Sequence, residues 1–264
     1  MTTLALAFLL AAGAAETDLV VNGAFEKGKD GTPDAWELPD GLCTFWEKAP
    51  GGKGKCIRID TDVLRDEFLA RRKEVDAFLD AAKEKEREGK DPKGKGSNKK
   101  EPKPLPPAKP KSATKEPKYD TVAGVEGVSY ASDFIEVEPG QDYRLEVDCR
   151  TDGGAKTPKV FVKGYFLDPK RPPEYQKRQK YEKYLICNAS EKWQTSSMVC
   201  SPTAKTPDVK WVRVIIFAYW PPGTYYFDNI RLVPAPKTGG RKTAPGTAKE
   251  PPSAPGAAPK ENGT

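Results

Sequence analysis

The sequence contains no histidine among its 264 residues, and this restricts the chemistry that the chain can perform. Without an imidazole there is no Ser-His-Asp or Cys-His nucleophile, no zinc-binding histidine pair and no histidine acid or base near neutral pH. Paired carboxylates, lysine chemistry and calcium sites built from oxygen ligands remain open. Functional groups must therefore be sought first among carboxylates and lysine amines.

One carboxylate occupies an unusual position in its strand. Asp228 shares strand parity with Tyr226, Ile230 and Leu232, so it points to the side on which its neighbours are apolar. A buried carboxylate must be ion-paired, hydrogen-bonded or bound to a metal ion. Two roles stay open for Asp228, a cap on backbone amides and a metal ligand.

The chain has five cysteines, an odd number. Cys43 and Cys56 stand symmetrically about the turn Pro50-Gly51-Gly52, so a hairpin would bring them opposite each other, which favours a disulfide between them. Cys149 falls on the apolar face of its strand and is predicted to be a small core residue. There is no Cys-X-X-Cys pair, which argues against a zinc site.

The formal net charge of +6 is concentrated in two segments of low complexity. Residues 92–118 hold nine Lys against two acidic residues, and residues 235–264 hold five basic against two acidic residues. The rest of the chain is therefore net negative, so the basic excess says little about what the folded part binds. The Lys clusters also lack interleaved aromatic residues, so specific nucleic-acid binding is not predicted.

The elements that must position these groups are strands. Residues 19–60 and 119–233 consist of short strands separated by Gly/Pro turns, with strict alternation from Tyr143 to Cys149. The stretch from Trp211 to Tyr219 is apolar on both parities, which predicts a central strand covered on both faces. This pattern predicts an all-β fold, an antiparallel two-sheet sandwich that is discontinuous in sequence.

An insertion separates the two strand-rich pieces. Residues 61–91 carry apolar positions at three-to-four spacing within a charged stretch, which predicts one amphipathic helix with Asp62 as a candidate N-cap. Its narrow apolar stripe is expected to lean on the sandwich or on a partner. Residues 92–118 are rich in Lys and Pro, and residues 234–264 in Pro, Ala, Gly and Lys, so both are predicted to be disordered.

The first residues predict export. Leu4–Ala12 is an apolar run that is followed by small residues, and Ala12-Gly13-Ala14 fits a small-x-small cleavage pattern. Residues 1–15 are therefore predicted to be a cleaved signal peptide, and the run is too short for a transmembrane anchor. The expected location is secreted or periplasmic.

Several phrases, in order along the chain, resemble carbohydrate-binding modules of the family 4/9 type. The opening Leu19–Glu26 (LVVNGAFE) and Gly31–Trp36 (GTPDAW) resemble the start of such modules. Cys56–Ile59, Ser132–Leu145 and Gly223–Leu232 are similar to the second core strand, a strand start and the closing strand. The resemblance covers nearly all of the two strand-rich pieces and skips the insertion. It implies a galactose-binding-like jelly roll of two antiparallel sheets.

The resemblance also implies a sugar site in which aromatic rings stack on pyranose rings and a few polar groups fix the orientation. The candidate rings on this chain are Trp46, Tyr130, Tyr165, Tyr219 and Trp220. Trp46 and Trp220 lie near strand ends beside Gly/Pro loops, which favours exposure. Tyr219 shares its parity with Ile215 and Phe217, so core burial and ligand contact both stay open. Trp36 and Tyr143 stand where the family phrases are structural and are predicted core residues.

A structural calcium ion is a further implication of the resemblance. In such modules the position of Asp228 often helps to hold calcium, together with the Glu of the opening phrase, which is Glu26 here. Oxygen ligands from two distant strands would pin the chain ends together.

Three functions are compatible with these features. The first is an exported, non-catalytic protein that binds a polysaccharide or other glycan. The second is a structural or protein-interaction module of the cell surface or periplasm, in which the Lys-rich arm contacts surface proteins or an anionic polymer. The third is the accessory part of a glycoside hydrolase system with hydrolase activity, although no phrase of the sequence resembles a hydrolase motif.

Overall fold

The computed structural model describes residues 17–88, 105–112 and 119–236, which form an antiparallel β-sandwich. The strands are β1 (Gly28–Lys29), β2 (Thr32–Pro33), β3 (Thr44–Lys48), β4 (Lys55–Asp60), β5 (Val128–Ala131), β6 (Ile135–Glu136), β7 (Asp142–Thr151), β8 (Lys159–Leu167), β9 (Lys177–Ile186), β10 (Gln194–Cys200), β11 (Trp211–Ala218) and β12 (Thr224–Ala235). The helices are α1 (Arg65–Glu88) and α2 (Val122–Val125), with a 3-10 turn at Pro173–Tyr175. The prediction of an all-β antiparallel jelly-roll β-sandwich is confirmed.

The first sheet has the strand order β10-β7-β12-β4-β3. Its inner strand β7 alternates as predicted, with the side chains of Tyr143, Leu145, Val147 and Cys149 buried and the intervening residues half-buried. The neighbouring strand β12 breaks register with β7 between Asp228 and Arg231, an irregularity that ends the regular alternation next to the buried carboxylate.

The second sheet has the order β5-β11-β8-β9, and β6 extends it by pairing with β11. In β11, alternate residues from Val212 to Ala218 are buried in the core, whereas the residues between them are only half-buried. The prediction that both faces of this strand are covered is therefore wrong. One face packs between the sheets, and the other forms an outer surface that its own large side chains partly shield.

Helix α1 packs against the sandwich. Phe68 and Val75 are buried, and Phe68 belongs to the main core cluster. Arg71 is almost fully buried, and its guanidinium donates to the carbonyl oxygens of Asp40 (2.6 Å) and Pro106 (2.8 Å). Because a buried guanidinium must have partners, these bonds fix α1 against the loop before β3 and against residues 105–112.

Residues 105–112, the part of the Lys/Pro-rich segment that the structure describes, lie along α1. Ser112 donates to the carboxylate of Glu67 in the first turn of the helix, and the Lys111 ammonium contacts Asp62. Asp62 therefore forms an ion pair, and the helix begins three residues after it, at Arg65. The predicted signal peptide, the rest of 92–118 and residues 237–264 lie outside the described residues. Residues 234 and 235, predicted to belong to the tail, complete β12.

The structure contradicts the predicted disulfide between Cys43 and Cys56, because both thiols are free. The β3–β4 register pairs Cys56 with Glu47, whereas the backbone of Cys43 bonds that of Asp60. The two cysteines are thus four positions apart along the hairpin, about 13 Å at the rise of a strand. They also belong to different apolar clusters. Symmetry about a turn in sequence does not give the register, which the turn geometry sets.

Candidate functional site

The outer surface of the second sheet carries most of the large aromatic side chains that are not in the core. We call this surface the aromatic face. It is formed by the outward-pointing residues of β8, β9 and β11 and by adjoining loop residues. Its rings are Phe134, Phe161, Tyr165, Tyr184, Trp211, Phe217 and Tyr219, with Tyr119 and Trp220 at one end.

Four of these rings form a continuous row across three strands. The ring centroids of Tyr184 and Phe161 are 5.6 Å apart, and those of Phe161 and Phe217 are 5.8 Å apart. Phe217 then stacks on Tyr219 at 5.5 Å, with an interplanar angle of 19°. These are favourable separations for aromatic pairs, so the row holds its own geometry without a ligand.

Beside this row lies a groove of about 510 Å³. We call it the aromatic groove. It is lined by Tyr119, residues 123–127, Phe217, Tyr219 and Trp220. Tyr119 stacks on Trp220 with centroids 5.3 Å apart and an interplanar angle of 8°. Trp220 is 37% exposed, so its ring contributes area to the groove. The stacked ring of Tyr119 supports it there.

Gly127 permits the close approach of Phe217 to the wall of the groove. It has a φ of 71°, in the left-handed region, and a Cβ there would stand 2.5 Å from Phe217 Cζ. A residue with a side chain would be strained at this φ and would push the ring aside. Glycine at position 127 therefore allows the Phe217 ring to pack against the wall of the groove.

The charged groups of the aromatic face differ in how they are satisfied. Lys163 pairs with Glu182 at 3.3 Å, and Arg213 pairs with Glu37 at 2.9 Å. The Lys159 ammonium instead lies 5.1 Å from the ring centroid of Tyr184 and 4.9 Å from that of Tyr219. Such distances are typical of cation–π contacts.

Tyr165 lies on the same face at its opposite end. Its ring meets Phe134 edge-on, with centroids 5.1 Å apart, and burial raises the pKa of its hydroxyl above the ordinary value. The Lys177 ammonium stands 3.9 Å from the Phe134 ring centroid and 4.8 Å from that of Trp211. The face therefore has a second aromatic and cationic cluster, separate from the groove.

Two of the predicted ring platforms are not on this face. Tyr130 pairs with Ile216 in the sheet register and points inward, where it is 2% exposed. Its ring stacks on Trp36 at 5.8 Å, and its hydroxyl donates to the Glu37 carbonyl oxygen. Tyr130 is therefore a core residue. The sequence analysis did not establish this inward parity.

Trp46 lies in β3, at the edge of the first sheet. Its indole N–H donates to the Phe25 carbonyl oxygen at 2.7 Å, and the Lys55 ammonium covers its ring at 3.3 Å from the centroid. Both the polar edge and one face of the ring are thus occupied by the protein itself. Of the five predicted rings, the structure brings Tyr219 and Trp220 together, adds Tyr165 on the same face and leaves Trp46 and Tyr130 elsewhere.

A larger cleft of about 740 Å³ separates α1 from β5, and Phe217 lines it as well as the aromatic groove. Its helix wall includes Phe68, Val75 and Leu79, and its polar lining includes Arg72. The inserted helix thus forms a wall next to the aromatic face. The sequence pattern predicted the helix but not the surface that it adjoins.

The predicted calcium ligands do not converge with a third ligand, because within the described residues no group of three His, Cys, Asp or Glu side chains could hold a metal ion. Asp228 is 8% exposed, and its carboxylate accepts the backbone N–H of Asn229 at 2.7 Å. Burial, and to a lesser degree the charges of Asp148 and Glu26, raise the pKa of Asp228 to about 7. Asp228 therefore holds its proton below about pH 7 in the folded protein, and calcium stays a prediction.

Several residues of the aromatic face were missed by the sequence analysis. Phe161 alternates with core valines in β8, and it shares its parity with Lys159, Lys163 and Tyr165. In a strand that alternates valine with aromatic and lysine residues, the valines are expected to face the core and the aromatic and lysine residues an exposed surface. The alternation was available in the sequence, but the pairing of β8 with β11 and β9 was not.

No protein-family model matches the chain, and no curated protein matches it. Among solved structures, it is similar to one described as "Family 16 Carbohydrate Binding Module-2", with 14% identity, a TM-score of 0.43 and coverage of 82% of this chain and 99% of that one. It is also similar to the CBM22-2 xylan-binding domain of Paenibacillus barcinonensis Xyn10C, with 8% identity, a TM-score of 0.40 and coverage of 81% and 98%. A third is TmCBM61 in complex with β-1,4-galactotriose, with 10% identity, a TM-score of 0.39 and coverage of 83% and 99%.

At these identities and TM-scores, the comparisons do not assign the chain to family 4/9 or to any other family. The helices in the described ranges include none that is both long and apolar enough to cross a membrane. The case for function therefore depends on the aromatic face.

Proposed function

We propose that this chain is an exported, non-catalytic carbohydrate-binding protein that holds a glycan against the aromatic groove. The observation that carries the proposal is the continuous row from Tyr184 through Phe161 and Phe217 to Tyr219, beside the partly exposed ring of Trp220. Aromatic rings supply flat apolar area that matches the apolar faces of pyranose rings. A row of rings that ends in an open groove suits an extended chain of sugars.

The proposal assigns no catalytic step to the groove. Hydrolysis of a glycosidic bond usually requires two carboxyl groups that flank the bond. Among the described residues that line the groove, the carboxylate is that of Glu126, which pairs with Arg65 at 3.6 Å. This lining supports binding of a sugar rather than cleavage.

Export is the part of the proposal that rests on sequence alone. Its support is the apolar run Leu4–Ala12, which is followed by the small residues of a cleavage pattern. The structural calcium that involves Glu26 and Asp228 likewise stays a proposal, and the buried position of Asp228 is its support.

Binding to insoluble and soluble neutral polysaccharides tests the function directly. Tyr219→Ala and Trp220→Ala should each weaken binding about 5- to 30-fold, because stacking on one ring is worth on the order of 1–2 kcal/mol. Tyr175→Ala is the matched control, since Tyr175 is exposed in the β8–β9 connection at the other end of the face. Equal binding by all three variants would rule out the groove as the site.

A further inference from the structure

We infer that the glycan bound at the aromatic face is acidic, and that a carboxylate or sulfate substituent of it pairs with the ammonium group of Lys159. This inference rests on the proposed function and specifies its substrate class. It follows from Lys159, a cation within the row of rings that has no carboxylate partner among the residues that the structure describes.

Lys159 projects from β8 into the middle of the ring row. In the sheet register it lies opposite Phe217, and its ammonium stands between Tyr184 and Tyr219 at 5.1 and 4.9 Å from their ring centroids. A sugar that stacks on Tyr219 would therefore bring its ring substituents within reach of this group.

The other cations in the middle of the face have carboxylate partners. Lys163 pairs with Glu182, and the guanidinium of Arg213 with Glu37. Among the described residues, Lys159 makes no ion pair within 4.0 Å. Carboxylates thus neutralise Lys163 and Arg213, whereas the Lys159 ammonium contacts the rings of Tyr184 and Tyr219.

The surroundings of Lys159 make a charged partner more favourable than a neutral one. The side chain is half-buried among rings, where the effective dielectric constant is lower than in water and an ion pair is correspondingly stronger. Cation–π contact offsets part of the lost hydration of the ammonium. A ligand carboxylate or sulfate would supply a full opposite charge, whereas a neutral sugar offers only hydroxyl dipoles.

Lys177 is a second cation of this kind on the aromatic face, so a polymer could contact two such groups. Lys177, over the rings of Phe134 and Trp211, also has no ion pair among the described residues. Its register partner is Leu167, eight positions from Lys159 along β8, which corresponds to about 26 Å. A polysaccharide with repeated acidic residues could contact both cations along one face.

Protection of a sheet edge is the alternative explanation for exposed lysines, since lysine on an edge strand discourages pairing with another chain. It suits Lys177, because β9 is the last strand in the order β5-β11-β8-β9. It does not suit Lys159, because β8 is an inner strand. The test therefore concentrates on Lys159.

Polygalacturonate and its fully methyl-esterified form are the main probes, because they share a backbone and differ in charge. A sulfated galactan and its desulfated form provide the second arm, which separates sulfate from carboxylate. Binding of the full mature chain to each probe is measured by affinity electrophoresis and calorimetry at 0.15 M salt, where contributions from distant charges are largely screened. We expect one acidic form to bind at least tenfold more tightly than its neutral partner.

Lys159→Gln should remove most of this preference, which is measured as the ratio of the affinities for the acidic and the neutral form. Lys170→Gln removes the same charge from the exposed β8–β9 connection and is the control, so it should keep the preference. Equal affinity for acidic and neutral forms, or equal losses in the two lysine variants, would overturn the inference. The proposed function would survive that result if Tyr219→Ala still weakened polysaccharide binding relative to Tyr175→Ala, and it would fail together with the inference if no polysaccharide bound.

Discussion

At the scale of single residues, Asp228 shows how burial creates a dependence on pH. An aspartate has a pKa near 3.9 in an unfolded chain, whereas that of Asp228 in the folded protein is raised to about 7. Between these values the folded state holds a proton that the unfolded state releases. The stability that this group contributes is therefore complete below about pH 4 and is lost as the pH rises through about 7.

Asp228→Asn should consequently raise the melting temperature at pH 8 in the presence of a chelator. The expected gain in the free energy of unfolding is on the order of 1–3 kcal/mol, and it should vanish near pH 4. Asp30→Asn is the control, because its side chain is 84% exposed. If added calcium stabilises the wild-type protein at pH 8 but not the Asp228 variant, the metal role is supported. A lower melting temperature of the variant at pH 8 in chelator would contradict the raised pKa of Asp228.

Gly127 gives a second prediction at this scale. Gly127→Ala should destabilise the fold and weaken glycan binding, because the new Cβ would meet the ring of Phe217. Gly140→Ala is a matched control with the same φ of 71° and nothing within 4 Å of the new Cβ. Both variants carry the strain of a left-handed residue, about 1–2 kcal/mol. An excess loss of stability and a loss of binding in the Gly127 variant alone would show the steric effect in thermal melts and binding curves.

At the scale of elements, helix α1 is attached to the sandwich chiefly by a few residues. Arg71→Ala should loosen the helix, because it leaves the carbonyl oxygens of Asp40 and Pro106 without their donor. Arg72→Ala is the control, since the Arg72 side chain is exposed at the next helix position and makes no such bonds to the residues that the structure describes. Amide exchange within α1 should accelerate in the first variant and stay unchanged in the second. Equal exchange in the two would mean that apolar contacts such as Phe68 suffice to hold the helix.

The elements also show what the sequence could and could not predict. Alternation along β7 was sufficient to assign its core face, because one face is buried and the period of a strand is two residues. The half-exposed ring face of β11 was missed, because outward aromatic residues and core residues are both apolar in the sequence. Tyr130 was misassigned for a related reason: its exposure depends on which strand lies beside it. Strand pairing is a long-range property that local patterns do not determine.

At the scale of the whole molecule, two kinds of positive charge must be distinguished. One is the Lys159 ammonium on the aromatic face, and the other is the basic excess of the low-complexity segments, including the five basic residues after position 236. A shortened protein of residues 17–236 retains every strand and helix that the structure describes. Its melting temperature should therefore lie within about 2 °C of that of the full chain, since small changes in the free energy of unfolding move it by a few degrees at most.

The same shortened protein separates specific from non-specific binding to acidic polymers. Loss of the tail should reduce the component of binding that disappears with added salt, because that component arises from exposed charges that salt screens. Binding through the ring row should persist, since the half-buried contact at Lys159 is screened less and stacking is insensitive to salt. Titrations at 0.05 and 0.5 M salt with full-length and shortened protein measure both components. If shortening abolished the binding that remains at 0.5 M salt, the tail rather than the aromatic face would hold the glycan.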